Sequence, residues 1–145
     1  METPSAFRGS KQFLAFQVAR QDFVIEAAIV RGILPLESFV PLAVPRQCLV
    51  GVAKIGGRPV AVLDLRQKLK LPSASLNGQP RIVVIQIADQ HLVGFIVDRV
   101  CEVMAFRAIE FRSGAFRGQG RPRRLVTAAQ IANEDDLVKL WTAVI

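Results

Sequence analysis

Tyrosine is absent from this chain, and histidine and tryptophan occur once each, as His91 and Trp141. A single histidine leaves little for general acid–base work or for an imidazole-based metal site. His91 adjoins a polar turn at Asp89-Gln90, where a lone histidine reads as an exposed turn residue. No serine or cysteine lies beside a histidine–carboxylate set in sequence. The two cysteines, Cys48 and Cys101, are far apart and form no CxxC or Cys/His cluster, which argues against zinc. Each sits among aliphatic residues and reads as a small buried hydrophobe. Glycines 51, 56 and 57 lack both the Walker lysine and the GxGxxG spacing of phosphate-binding loops. No catalytic residue, cofactor site or metal site is expected, so the chain does not read as an enzyme.

Long apolar runs are also missing: none approaches the ~20 residues that span a bilayer. The start, METPSAFRGSK, has no apolar signal core and is expected to be flexible over residues 1–11. A soluble, cytoplasmic protein is the expectation, and a disulfide between Cys48 and Cys101 is disfavoured in that compartment. What the chain does have is 145 residues, 51% of them hydrophobic and 21% charged. That is a globular composition, long enough for one domain to bury ~68% of its unfolded surface without staples.

Acids are scarce relative to bases: 12 against 19, for a net charge of +7. The excess is local. Arg107, Arg112, Arg117, Arg121, Arg123 and Arg124 share one stretch with Glu110 as its only acid. Gly114, Gly118, Gly120 and Pro122 make that stretch a mobile loop by composition. It reads as a solvated basic loop, with an acidic protein face or a nucleic acid as alternatives. The nine phenylalanines and one tryptophan lie mostly among aliphatics and read as core, not as base-stacking platforms.

Most of the chain has the pattern of short strands. Phe13–Val18 is followed by a turn at Arg20-Gln21-Asp22 and a return strand at Phe23-Val24-Ile25. Ala27–Leu34 reads as a strand, since Gly32 and Pro35 oppose a long helix. Pro35, Pro41 and Pro45 predict an extended loop without regular pairing. Cys48–Ile55 and Arg58–Leu63 form a hairpin around Gly56-Gly57. Asp64 is a good N-cap for a short helix near 65–71, which Pro72 closes. Ser73–Pro80 is a loop and a candidate seam between two halves. Arg81–Ile87 is the clearest strand; a turn at Ala88–Gln90 reverses it into His91–Val97, and Asp98–Met104 continues as a strand or a kinked extension. Asp98 and Glu102, in an apolar context, suggest capping or salt bridging with Arg99 or Arg66 as partners. Leu125–Ile131 and Leu137–Trp141 suggest a last hairpin around Asn133–Asp136. Many short strands with few helical patterns imply an all-β sandwich or barrel, and runs such as IVVIQI imply strands covered on both faces.

Two motifs carry a family resemblance. One is Gly51-Val52, then Gly57, then Val62-Leu63-Asp64-Leu65-Arg66. The other is Gly94-Phe95-Ile96-Val97-Asp98-Arg99-Val100-Cys101-Glu102-Val103. With the strands Phe13–Phe16 and Phe23–Ile25, they make the chain resemble the CheW-like domain. These adaptor domains link chemoreceptors to the CheA histidine kinase in bacterial arrays. The resemblance covers residues 12–111 well and 124–145 weakly. It implies two five-stranded, SH3-like β-barrels in one domain over residues 12–145. One barrel takes about 21–78, the other 12–20 plus 79–145. It also implies a cytoplasmic scaffold whose partners are a CheA-type kinase regulatory domain and a receptor tip. Small-molecule substrates are not implied, nucleic acid is disfavoured, and a membrane is reached only through receptors.

Val30, Gly32, Ile33, Gly51, Ile55 and Gly56 are the expected partner-contact positions. Two of them depart from the family, which commonly has Glu at the position of Gly32 and Arg at that of Gly56. Losing both leaves no unpaired charge, but it changes the partner surface. The sequence also stops soon after the last expected strand, without a C-terminal helix. An adaptor of a type IV pilus or other non-flagellar chemosensory system is the alternative pathway.

Overall fold

The structure, a computed structural model, describes residues 7–46, 48–72, 78–87 and 91–132. The expected segment at Leu137–Trp141, its turn at Asn133–Asp136, the Ala88–Gln90 turn and residues 73–77 of the loop lie outside them. The strands are β1 (Ser10–Val18), β2 (Gln21–Glu26), β3 (Val30–Pro35), β4 (Val40–Arg46), β5 (Leu49–Ile55), β6 (Arg58–Asp64), β7 (Arg81–Ile87), β8 (His91–Val97), β9 (Arg99–Arg107), β10 (Phe111–Arg112), β11 (Ala115–Phe116) and β12 (Arg123–Leu125). Two single-turn helices, α1 (Leu65–Lys68) and α2 (Ala128–Ile131), complete the set with short 3-10 turns.

These strands form two six-stranded sheets. The first has the order β10-β11-β12-β2-β1-β9 and the second β3-β7-β8-β6-β5-β4. Pairing is antiparallel except for β12 on β2 and β6 on β8. The second sheet thus gathers residues 30–97, while β1 and β2 stay together as a hairpin in the first.

Side-chain alternation splits each central strand between two cores. On β1, Leu14, Phe16 and Val18 enter a cluster between the sheets, and Phe13 and Ala15 enter a second cluster with Val24, Phe106 and Phe116. On β7, Val83, Ile85 and Ile87 face the shared cluster, while Ile82 and Val84 join Ala53, Val60 and Val62 in a third. Strands buried on both faces are therefore the rule at the centre, as IVVIQI implied. Phe16 joins the two sheets, its ring centroid 5.7 Å from that of Phe23 and 5.5 Å from that of Phe95. Truncating such a fully buried ring costs about 3–5 kcal/mol.

The second sheet curls. A Cβ placed on Gly32 of β3 would lie 2.7 Å from Ile55 Cδ1 of β5, although three strands separate β3 from β5 in the hydrogen-bonded order. The third cluster fills the inside of that curl.

Several expectations are corrected. The first hairpin turns at Ala19 and Arg20, one residue earlier than expected, with φ of 52° and 64°. A two-residue turn with positive φ at both positions matches the strand twist, so the pairing outweighs the cost of these non-glycine residues. Ala27–Ile29 is a 3-10 turn, and the strand begins at Val30. The proline-rich segment pairs after all: Val40 and Pro41 oppose Val52 and Gly51. β4 is an edge strand with a register shift, where a missing N–H does no harm. Helix α1 stops at Lys68, shorter than expected, because Lys70 adopts φ 54°. Leu125–Ile131 contains α2, not a strand: Thr127 and Gln130 cap each other's backbone N–H groups.

The arginine stretch is not a loose loop. It contains β10, β11 and β12, and Ala115 and Phe116 are buried. Most of its arginines are committed within the chain. Arg121 pairs with Asp22 at 3.2 Å, Arg123 donates to the Gln119 carbonyl at 2.9 Å, and Arg124 lies over the Phe23 ring at 5.3 Å. Composition registered the glycines and missed the buried phenylalanine among them. Cys101 is exposed, against expectation, because β9 is an edge strand.

Candidate docking surface

The two sequence motifs meet at one buried node. Asp64 caps α1 by accepting the Arg66 N–H at 3.0 Å, and its own N–H donates to the Cys48 carbonyl at 2.8 Å. That cap aims the Arg66 side chain at Asp98, which lies where the chain passes from β8 to β9. Arg66 Nη2 donates to both Asp98 oxygens, at 2.8 and 2.9 Å. Asp98 Oδ2 also accepts the Ala19 N–H at 2.8 Å, and the Asp98 N–H donates to the Gln17 carbonyl at 2.9 Å. The pair is almost solvent-free: Arg66 is 8% exposed and Asp98 3%. Asp98 thus ties the second sheet's α1 to the first sheet's opening hairpin. Of the two partners expected for it, the structure selects Arg66; Arg99 points elsewhere.

The other marked positions lie on the second sheet. β3 pairs only with β7 and has a register shift at Arg31, whose Nε donates to Gln86 Oε1 at 2.9 Å. Its side chains alternate between half-buried Val30, Gly32 and Leu34 and exposed Arg31, Ile33 and Pro35. Ile33 is 44% exposed, well beyond what a branched aliphatic normally shows. Gly32 faces Ile55, whose chain neighbour is Gly56. Gly56 and Gly57 form the hairpin turn with φ of 55° and 79°, and a Cβ on Gly56 would meet nothing within 4 Å.

Gly51 differs from the other five. It is buried, and a Cβ there would fall 2.0 Å from the Phe39 ring and 2.4 Å from the Val40 carbonyl oxygen. It lets β4 and Phe39 lie close over β5. Val40, 69% exposed, stands out on the same sheet's other edge, and Ile109, 77% exposed, on the turn after β9. Sequence reading passed over both, although each is an isolated aliphatic beside a proline or charged residues.

Among the described residues, no group of three or more His, Cys, Asp or Glu could hold a metal ion. His91 is exposed at the start of β8. Partial burial raises the Cys101 thiol above its ordinary range, with Arg99 pulling the other way. No described helix is long and apolar enough to cross a membrane.

A family model described as the CheW-like domain matches residues 12–141. The chemotaxis protein CheW of Bacillus subtilis is 30% identical over 105 residues, covering 71% of this chain and 65% of that protein. The CheW proteins of Klebsiella aerogenes and Rhizobium meliloti are 26% and 25% identical, over 70% and 66% of this chain and 61% of each relative. The match therefore spans just under two thirds of these relatives' length. A similar fold is seen in the crystal structure of the scaffolding protein TtCheW from Thermoanaerobacter tengcongensis. The TM-score is 0.71 at 15% identity, over 81% of this chain and 88% of that one.

Proposed function

This chain belongs to the CheW-like domain family, and from that premise we propose that it is a non-enzymatic cytoplasmic adaptor coupling chemoreceptor tips to a CheA-type histidine kinase. The observation that carries the reading is the β3 edge of the curled sheet, where Ile33 is exposed on one face and Gly32 meets the Ile55–Gly56 corner on the other. An exposed aliphatic on an edge strand supplies apolar contact area, and open backbone beside it permits close approach. Val30 and Ile55, half-buried, would flank the edge on its two faces, and Gly51 lets Phe39 and β4 lie close over β5.

The test is a pull-down of the kinase regulatory domain at concentrations on the order of tens of micromolar. A complex is expected, and Ile33→Asp weakens it by ~10-fold or more. Because Ile33 is exposed, that variant keeps its thermal midpoint. Absence of any complex with the folded wild-type chain sinks the reading.

The paired glycines favour a second reading, in which the adaptor serves type IV pilus motility or another non-flagellar pathway. Both family charges are absent from adjoining positions, so the partner surface is altered on both sides of one contact. A deletion strain that swims up gradients normally but fails to twitch distinguishes the two.

A further inference from the structure

Three arginines distant in sequence line cavities at the seam between the sheets. A cavity of about 520 Å³ is walled by Gln79, Arg81, Arg99 and Val100. A smaller one of about 130 Å³ shares Gly78 and Arg99 with it and adds Arg20 and Asp98. Arg81 opens β7 in the second sheet, Arg99 opens β9 in the first, and Arg20 occupies the β1–β2 turn. The larger volume falls within the ~300–1,000 Å³ usual for small-ligand sites.

The charge state of these arginines sets them apart from the rest. Those of the 107–124 stretch are largely tied to Asp22, Glu110, backbone carbonyls or the Phe23 ring. Arg20 and Arg99 make no hydrogen bond or ion pair among the described residues, and Arg81 spends one donor, on the Pro80 carbonyl at 3.0 Å. Among the described residues the only acid in either wall is Asp98, and its two oxygens are already taken by Arg66 and the Ala19 N–H. It neutralises Arg66 and leaves the other three cations uncompensated. Arginines lining two adjoining cavities that share Arg99 fit the oxygens of a multivalent oxyanion.

We infer that this seam binds a small free anion of phosphate type, held between Arg81 of one sheet and Arg20 and Arg99 of the other. The inference is independent of the adaptor reading, since it uses none of the docking residues. A bound anion would bridge the sheets beside the Asp98 node and raise the thermal midpoint by mass action.

The experiment is calorimetric titration of the full chain with inorganic pyrophosphate, at constant ionic strength held with sodium chloride. Saturable binding below about 10 mM is expected, with a rise in thermal midpoint. Arg99→Gln and Arg20→Gln, both at exposed positions, each weaken binding by ~10-fold. Arg112→Gln, which removes the same charge from an exposed site in the arginine stretch, changes it by less than ~2-fold. Equal weakening by all three variants overturns the inference, because it would show attraction to the net charge alone. So does an absence of binding at 10 mM pyrophosphate (~10 mM marks the weak limit of a specific site), or tighter binding of a glutamate-rich peptide than of pyrophosphate.

Discussion

The seam at Asp98 and the open side of the second sheet are built on opposite terms. At the Asp98 node the carboxylate is fully engaged: Asp98 accepts from Arg66 and Ala19, and Asp64 holds α1 so that Arg66 can reach. Around Gly32 and Gly56 there are few commitments: open space over the turn, an exposed isoleucine, and one contact with the end of a flexible side chain. A region whose groups are mutually satisfied cannot change singly, because each loss strands a partner. A region with few commitments can change its surface and leave the fold intact. Substitution at Gly32 or Gly56 is therefore expected to leave the Asp-Leu-Arg and Val-Asp-x-Val segments undisturbed.

The sharpest way to break this contrast is Asp98→Ala. It leaves the Arg66 guanidinium buried without its carboxylate and frees the Ala19 N–H at a turn with positive φ. Removing one partner of a buried ion pair costs about 3–5 kcal/mol. Urea unfolding should show a loss of that size, together with faster amide exchange in β1 and β2. A loss under about 1 kcal/mol would place the seam among ordinary surface pairs. Replacing both partners, as Asp98→Leu with Arg66→Met, should recover a large part of it, since no charge is then left alone.

Gly51→Ala comes next. The new methyl would meet the Phe39 ring and the Val40 backbone, and a backbone carbonyl cannot swing aside as a side-chain end can. Overpacking of this kind costs about 1–3 kcal/mol. The expected signature is local: exchange rises in β4 while β7 and β8 stay protected. Uniform loss across both sheets would show that β4 is not the element Gly51 seats.

The fold was legible where one physical pattern dominated. The Gly56-Gly57 hairpin, the Asp64 cap and the doubly buried β7 follow from turn geometry, free helix-end amides and continuous apolar runs. Reading failed where composition pointed one way and tertiary contacts another. Pro41 looked incompatible with pairing until β4 proved to be an edge strand; the glycines around Phe116 hid a buried residue; Cys101 looked like core because its neighbours are aliphatic, but β9 presents it outward. The candidate site was half legible. Gly32 and Gly56 were singled out by departure from a family pattern, and their adjacency needed the curl of the sheet. Arg20, Arg81 and Arg99 had no pattern in sequence at all, since only the crossing of two sheets brings them to two adjoining cavities that share Arg99.

The smallest expected effect tests whether the open side is as permissive as its geometry implies. Gly56→Arg enters open space at φ 55°, close to the values that Ala19 and Arg20 already adopt, and should cost about 1 kcal/mol for its backbone. Gly32→Glu must displace Ile55 Cδ1, a mobile end group, and should cost about 1–3 kcal/mol as overpacking. If the two positions adjoin as the curled sheet places them, the new charges attract, and the double variant is more stable than the sum of the singles by about 0.2–1 kcal/mol. Salt should shrink that coupling, because both side chains would be near solvent. A coupling of zero at low salt would separate the two positions and open the sheet's curl to question. A coupling well above 1 kcal/mol would mean that the pair is shielded from solvent, and the open side would then resemble the seam it is contrasted with.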